Sequence, residues 1–227
     1  YTEIEENRDA IILHLASNSD TSSNIFTEEI DYYSNISKKK WKHQFFFSSA
    51  QVYDSKSEII KNENSSINPN NNYGRKKYEI EKIFLKIENS TILRLSNIIG
   101  QGMSKKNVFN SILYQLRLGS KIKLENTYSV RDFISVNDLV RIITFMIDLR
   151  PCGIFNISTG RGTQINQILI YMTEIMNKYK YKLEVNDKSN RISNLVLDNS
   201  KIKNLCNIDI NIDIKDIIRD LIENKKI

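Results

Sequence analysis

Glycine is scarce in this 227-residue chain, with 7 residues and none before Gly74. A phosphate-cradling loop of the G-x-G-x-x-G or P-loop type needs glycines where backbone approaches the ligand, so the first third of the chain can hold neither. Cysteine is nearly absent. Cys152 and Cys206 make no disulfide framework and no metal spacing, and a reducing cytoplasm is the expected setting. No apolar run approaches the roughly eighteen residues of a membrane span, and no signal-peptide pattern opens the sequence, so no membrane partner is expected. Charge of one sign is also missing as a block. The 33 Lys and Arg against 27 Asp and Glu leave a net charge of +6, but bases and acids are interleaved. A solvated surface is expected, not a nucleic-acid footprint.

What is present suits a globular core: 40% of the residues are hydrophobic. Ala10 to Ala16 reads as a strand buried on both faces, followed by a polar loop that ends near Asn24. Residues 25 to 36 carry a broken helical pattern. Phe45 to Phe47 forms a second buried strand, and the Asn- and Ser-rich stretch 62 to 72 a loop. The pattern predicts a helix over 73–87, a third strand over 91–99 stopped by Gly100 and Gly102, and a helix over 108–118 closed by Gly119. A strand over 121–124 and a helix over 136–149 follow, with Asn137 or Asp138 near the helix cap. After Pro151 and Gly153 come a strand over 153–158, a helix over 165–178, a strand over 182–185 and a last helix over 214–222. Strands alternating with helices imply an α/β sheet.

The chemistry gathers in Ser48-Ser49 and Tyr73-x-x-x-Lys77. Residues four apart on a helix share a face, so Tyr73 and Lys77 can reach one ligand. A tyrosine with a pKa near 10 is a poor acid or base at neutral pH, and a neighbouring ammonium is expected to lower it by stabilising the phenolate. A serine hydroxyl close by can hydrogen-bond the same substrate oxygen. Such a set moves a proton at an alcohol or carbonyl oxygen while a cofactor moves hydride at the carbon. Alone, a Tyr and Lys at this spacing also describe an ordinary surface helix pair.

Blocks in order along the chain carry a more specific resemblance. IILHLAS, FFFSSAQVYD, NPNNNYGRKKYEIEK, TILRLSNIIGQG, RDFISVNDLVRII, GIFNISTGRG and LDNSKIKNL are similar to segments of the extended short-chain dehydrogenase/reductase family. Within it they resemble the NAD-dependent epimerase/dehydratase group that acts on nucleotide sugars. The resemblance implies a Rossmann-like parallel sheet, N-terminally incomplete, with a small C-terminal substrate-binding region. Residues 1–100 and 125–170 would form the partial NAD(P)-binding domain, and 101–124 and 171–227 the substrate region. It implies Tyr73 as catalytic acid/base, Lys77 as the residue that lowers its pKa and holds the nicotinamide ribose, and Ser49 as the catalytic hydroxyl, with Ser48 as the alternative. Leu15, Ala16, Asn24, Phe47 and Ser96 would line NAD or NADP together with Tyr73 and Lys77. Ser49, Asn97 and Arg131 would hold the nucleotide sugar. Asn97 could instead cap a loop, and Arg131 could instead pair with Asp132 or another acid. His14, Trp41 and His43 read as structural residues.

The departures narrow the reading. The family's glycine-rich segment is absent, so roughly 60 residues, at about 30 per β-α unit, are expected to lie outside this sequence. Ala50 and Gln51 stand where 4,6-dehydratases carry an Asp-Glu pair, which disfavours dehydration. A nucleotide-sugar 4-epimerase or a 4-ketoreductase is therefore expected. The alternative is an inactive remnant or a non-catalytic dinucleotide-sensing protein of the same fold. The resemblance leaves room for a homodimer.

Overall fold

Three consecutive phenylalanines, Phe45 to Phe47, can all be apolar only where both faces of a strand are covered, and that is how the chain uses them. The structure, a computed structural model, describes residues 5–15, 23–56, 60–103, 107–119, 121–124, 127–177, 180, 182–185, 193–207, 210 and 213–224, with backbone only at 23–25, 185 and 224. In chain order the elements are β1 (Ile11–His14), α1 (Ser23–Ile36), β2 (His43–Ser49), a 3-10 turn (Ala50–Val52), β3 (Ile60–Lys61), α2 (Asn72–Phe84), β4 (Ser90–Leu95), β5 (Asn97–Ile99), α3 (Val108–Leu118) and β6 (Lys121–Leu124). Then follow β7 (Val130–Ser135), α4 (Val136–Leu149), β8 (Gly153–Ile157), β9 (Gly162–Gln164), α5 (Ile165–Ile175), β10 (Lys182–Val185), β11 (Asn194–Leu197), α6 (Ser200–Cys206) and α7 (Ile214–Asn224).

The main sheet runs in the order β1-β2-β4-β8 with every neighbouring pair parallel. Its side chains alternate between two helical layers. Phe46 and Ile92 pack with Tyr33, Ile36, Ile80 and Phe84 beneath α1 and α2. Phe45, Phe47, Leu93 and Leu95 face the other way, toward Leu139, Ile142 and Met146 of α4 and Ile202 and Cys206 of α6. The result is a helix–sheet–helix sandwich, as the Rossmann-like expectation required. A second sheet, β3-β11-β7-β5 with β9 antiparallel against β7, lies beyond the carboxyl ends of the first. A third apolar cluster joins α3, α5 and α7 to the parallel pair β6–β10 through Phe109, Leu116, Ile122, Ile168, Met172 and Ile218.

One sequence expectation needs correction. The stretch 91–99 is not one strand: the Ser96 N–H donates to Ile157 O, and the chain leaves β4 to pair with β7 as β5. A uniform apolar run hides this switch because both halves are buried. The cap of α4 is Ser135, whose Oγ accepts from Asp138 N at 3.0 Å, so Asn137 and Asp138 lie next to it in the first turn, as expected. The Ser135 hydroxyl in turn donates to Asp138 Oδ2 at 2.7 Å.

Candidate active site

Ser48 and Ser49 end β2 and point to different tasks. The Ser48 Oγ donates to Glu81 Oε1 at 2.5 Å inside the protein. Glu81 also takes Arg94 Nη2 at 2.7 Å and Arg94 Nε at 3.0 Å, so one buried carboxylate fastens β2, α2 and β4 together. Ser49 is half-buried, accepts from Gln51 N at 3.2 Å, and borders two adjoining cavities. The larger, of about 910 Å³, is also bordered by Ser48, Tyr73, Ser96 and Asn97. The smaller, of about 170 Å³, adds Asn70, Arg131 and Ser193.

The start of α2 aims Tyr73 at the larger cavity. Asn71 is its N-cap: the Oδ1 accepts from Gly74 N at 2.8 Å, while the Nδ2 donates to Gln51 Oε1 at 2.8 Å. The helix end is thereby tied to the turn that follows Ser49. One turn on, Lys77 is buried; its Nζ donates to the Phe47 carbonyl at 2.7 Å and lies 5.8 Å from the Tyr73 ring centre. Burial pulls the Lys77 ammonium down from 10.5 to about 8, opposed by the Glu29 carboxylate. The expected lowering of the Tyr73 hydroxyl is not seen. Burial and then the Glu29 charge raise it above 10 in the free chain. The Lys77 ammonium is committed to the Phe47 carbonyl, and desolvation of the phenolate dominates.

The other sequence-derived residues fall as follows. Leu15 is exposed just past β1, at the carboxyl end of the main sheet. Ala16 and the Asn24 side chain lie outside the described residues. Phe47 is buried in β2 within the apolar core and borders neither cavity; its carbonyl accepts from Lys77 Nζ. Ser96 is buried beside both cavities, and its Oγ has no partner among the described residues. Asn97 donates to the Asp132 carbonyl at 3.0 Å. Arg131 does not pair with Asp132: its Nη1 donates to the Val130 carbonyl at 3.0 Å and to the Ser193 carbonyl, and burial lowers its pKa. Asp132 is turned inward and accepts from Thr159 N, Thr159 Oγ1 and Gly160 N, at 3.0, 2.8 and 2.9 Å. His14 lies against Gln44 at 3.2 Å and Tyr33, and Trp41 donates to the Ile36 carbonyl at 3.1 Å. Ser193 and Asn70 were not anticipated, and Asn71 was legible only as an asparagine at capping distance before the helix. Among the described residues that border the two cavities none is a carboxylate, and carboxamides are many: Gln51, Asn70, Asn71, Asn72, Asn97, Gln101 and Asn107.

Comparisons with known proteins bear on the family and the fold. The profile of the NAD dependent epimerase/dehydratase family matches residues 5–158. The chain belongs to this family. It is 29% identical over 167 residues to the GDP-6-deoxy-D-talose 4-dehydrogenase of Aggregatibacter actinomycetemcomitans, covering 70% of this chain and 56% of that protein. The chain thus spans little more than half the length of that curated relative. Among solved structures it is similar to the Bordetella bronchiseptica enzyme WbmG in complex with NAD, with a TM-score of 0.81 at 23% identity over 96% of this chain and 72% of that one. It is also similar to the dTDP-glucose 4,6-dehydratase of Bacillus anthracis in complex with NAD, with a TM-score of 0.79 at 16% identity over 94% and 71% of the two chains. These two likenesses establish the fold. The family is one of NAD-dependent enzymes, and the chain's own residues fit the reactive end of such a cofactor. The unpartnered Ser96 Oγ and Tyr73 both border the larger cavity. No glycine precedes Gly74, so this chain supplies no glycine-rich seat for the pyrophosphate. Among the described residues no helix is long and apolar enough to cross a membrane.

Proposed function

We propose that this chain carries the proton-transfer half of a site that oxidises or reduces C4 of a nucleotide sugar, as a 4-ketoreductase or a 4-epimerase. One observation carries the reading: Ser49 from β2 and Tyr73 from α2 border the same cavity, with Lys77 one turn behind the tyrosine. In reduction, the Ser49 hydroxyl donates a hydrogen bond to the sugar carbonyl oxygen and Tyr73 delivers the proton to it. The Lys77 ammonium then stabilises the phenolate left behind. Oxidation of the alcohol runs the same steps backward. A nicotinamide cofactor, NAD or NADP, supplies or accepts the hydride when bound. Asn97 and Arg131 border the adjoining cavity, where a planar guanidinium suits a diphosphate. The talose 4-dehydrogenase relative favours action at C4. Ala50 and Gln51 offer no acid to expel a hydroxyl, which favours simple redox chemistry over dehydration.

The test is Tyr73→Phe in protein that turns over nucleotide sugars. Loss of an ionisable hydroxyl is expected to lower kcat by about 10²–10⁴-fold with the fold intact. Unchanged turnover would sink the assignment. Following the reduced cofactor separates the two forms, since a reductase consumes it and an epimerase returns it.

A further inference from the structure

Where the two cavities adjoin, one backbone N–H decides which way the neighbouring carboxamides face. Gly74 N can only donate, so the Asn71 atom that meets it at 2.8 Å is the carboxamide oxygen. The Asn71 nitrogen is left to donate. It does so to Gln51 Oε1 at 2.8 Å and to Asn70 Oδ1 at 3.1 Å. Gln51 therefore turns its oxygen to Asn71. Its Nε2 is the free end, with two N–H groups and no acceptor among the described residues. The Gln51 backbone is held as well. Its N–H donates to Ser49 Oγ at 3.2 Å, and its carbonyl oxygen lies against Gly74.

The same turn sets Ser49. Its oxygen accepts from Gln51 N, so its own proton is available to a ligand. Ser49, Gln51 and Asn71 border both cavities, as does Ser96 with its buried, unpartnered Oγ. No described residue around them is a carboxylate that could take the Gln51 amide. Arg131, at the smaller cavity, brings only further donors. The Gln51 amide is thus satisfied by an acceptor oxygen that the ligand carries. Ser49 caps the short turn that holds Gln51, so the oxygens these two side chains reach are neighbours on one ligand.

Taking the cavity between Ser49 and Tyr73 as the place where the sugar reacts, we infer that Gln51 is a specificity-determining residue. Its amide, held by Asn71, donates to a sugar oxygen next to the carbon that Ser49 addresses. The site accepts a nucleotide hexose that bears a hydroxyl or carbonyl there. A sugar with hydrogen in that place leaves the amide desolvated and unpaired, and is rejected.

The first part of the test uses the free protein, with neither cofactor nor sugar. Side-chain amide hydrogen exchange is followed by heteronuclear NMR, with the Gln51 signal assigned by its loss in Gln51→Glu. Asn71→Asp keeps an oxygen to cap Gly74 N but has no N–H to give. The Gln51 amide is then expected to turn, donate to that carboxylate and exchange about tenfold more slowly. An unchanged exchange rate overturns the inference. The second part uses protein loaded with nicotinamide cofactor. UDP-, GDP- and dTDP-hexoses are compared with their analogues that have one hydroxyl replaced by hydrogen. Wild-type kcat/KM is expected to fall about 100-fold for one deoxy position, and this ratio to shrink to within about tenfold in Gln51→Met while the ratios at other positions stay as they were. An equal loss on every sugar, with the wild-type ratios kept, marks Gln51 as merely structural and overturns the inference alone. Turnover of no nucleotide sugar by the wild type sinks the catalytic reading, and this inference with it.

Discussion

Gly74 has no room for a side chain. A Cβ there would lie 2.2 Å from the Gln51 carbonyl oxygen and 3.0 Å from Pro69 Cβ. Backbone cannot give way as a flexible side chain does, so Gly74→Ala must push the first turn of α2 away from the turn after Ser49. The expected cost is about 1–3 kcal/mol in urea unfolding, with a loss of turnover as Tyr73 moves off the cavity. At this scale the sequence was most informative where a pattern recurs with its chemistry. Tyr73 and Lys77 at helical spacing, and a serine pair at a strand end, were readable and do border or back one cavity. Glu29 and Lys76 were not readable. Each looks like an ordinary solvated helix residue, and only the packing of α1 on α2 buries them.

Elements with a strong period and a clear stop were legible to the residue. α3 ends at Gly119, whose N–H returns to the Gln115 carbonyl, and α4 ends before Pro151. β3, β9 and β11 were missed because they are 2 to 4 residues long and exist only by pairing with distant strands. β7 was hidden by Arg131 and Asp132, charged residues that strands ordinarily avoid. What locks α2 to the main sheet is the Glu81–Arg94 pair, with Arg94 also 4.7 Å over the Tyr53 ring and donating to the Glu63 carbonyl at 3.1 Å. Arg94→Met removes the cation but leaves Glu81 and the Ser48 hydroxyl facing each other in the interior. A loss of about 3–5 kcal/mol is expected by denaturant unfolding. Glu81→Gln/Arg94→Met, which leaves no lone charge, should recover much of it.

For the whole molecule, one buried imidazole sets an acid limit. His14 sits among Tyr33, Phe84 and Gln44, and burial pulls its pKa from 6.5 to about 4. The unfolded chain takes up this proton first as pH falls. Stability from the neutral ring is therefore whole above pH 6.5 and drains away toward about 4, by about 3 kcal/mol in all. Urea midpoints at pH 7 and pH 5 should differ accordingly, and His14→Gln should flatten the difference; an equal slope in that variant contradicts the account. The order of the second sheet, β3-β11-β7-β5, carries a consequence for synthesis. Neighbouring strands there come from residues 60, 194, 130 and 97 of the chain. As the polypeptide leaves the ribosome, β1, β2 and β4 can pair early. The gap between β3 and β7 cannot close until Asn194–Leu197 has been made. The cavity wall that holds Arg131 against Ser193 is therefore among the last parts to form, and a nascent chain halted before that point already carries the residues from Ser48 to Val136 that border the larger cavity but lacks the Ser193 and Leu195 side of the smaller one.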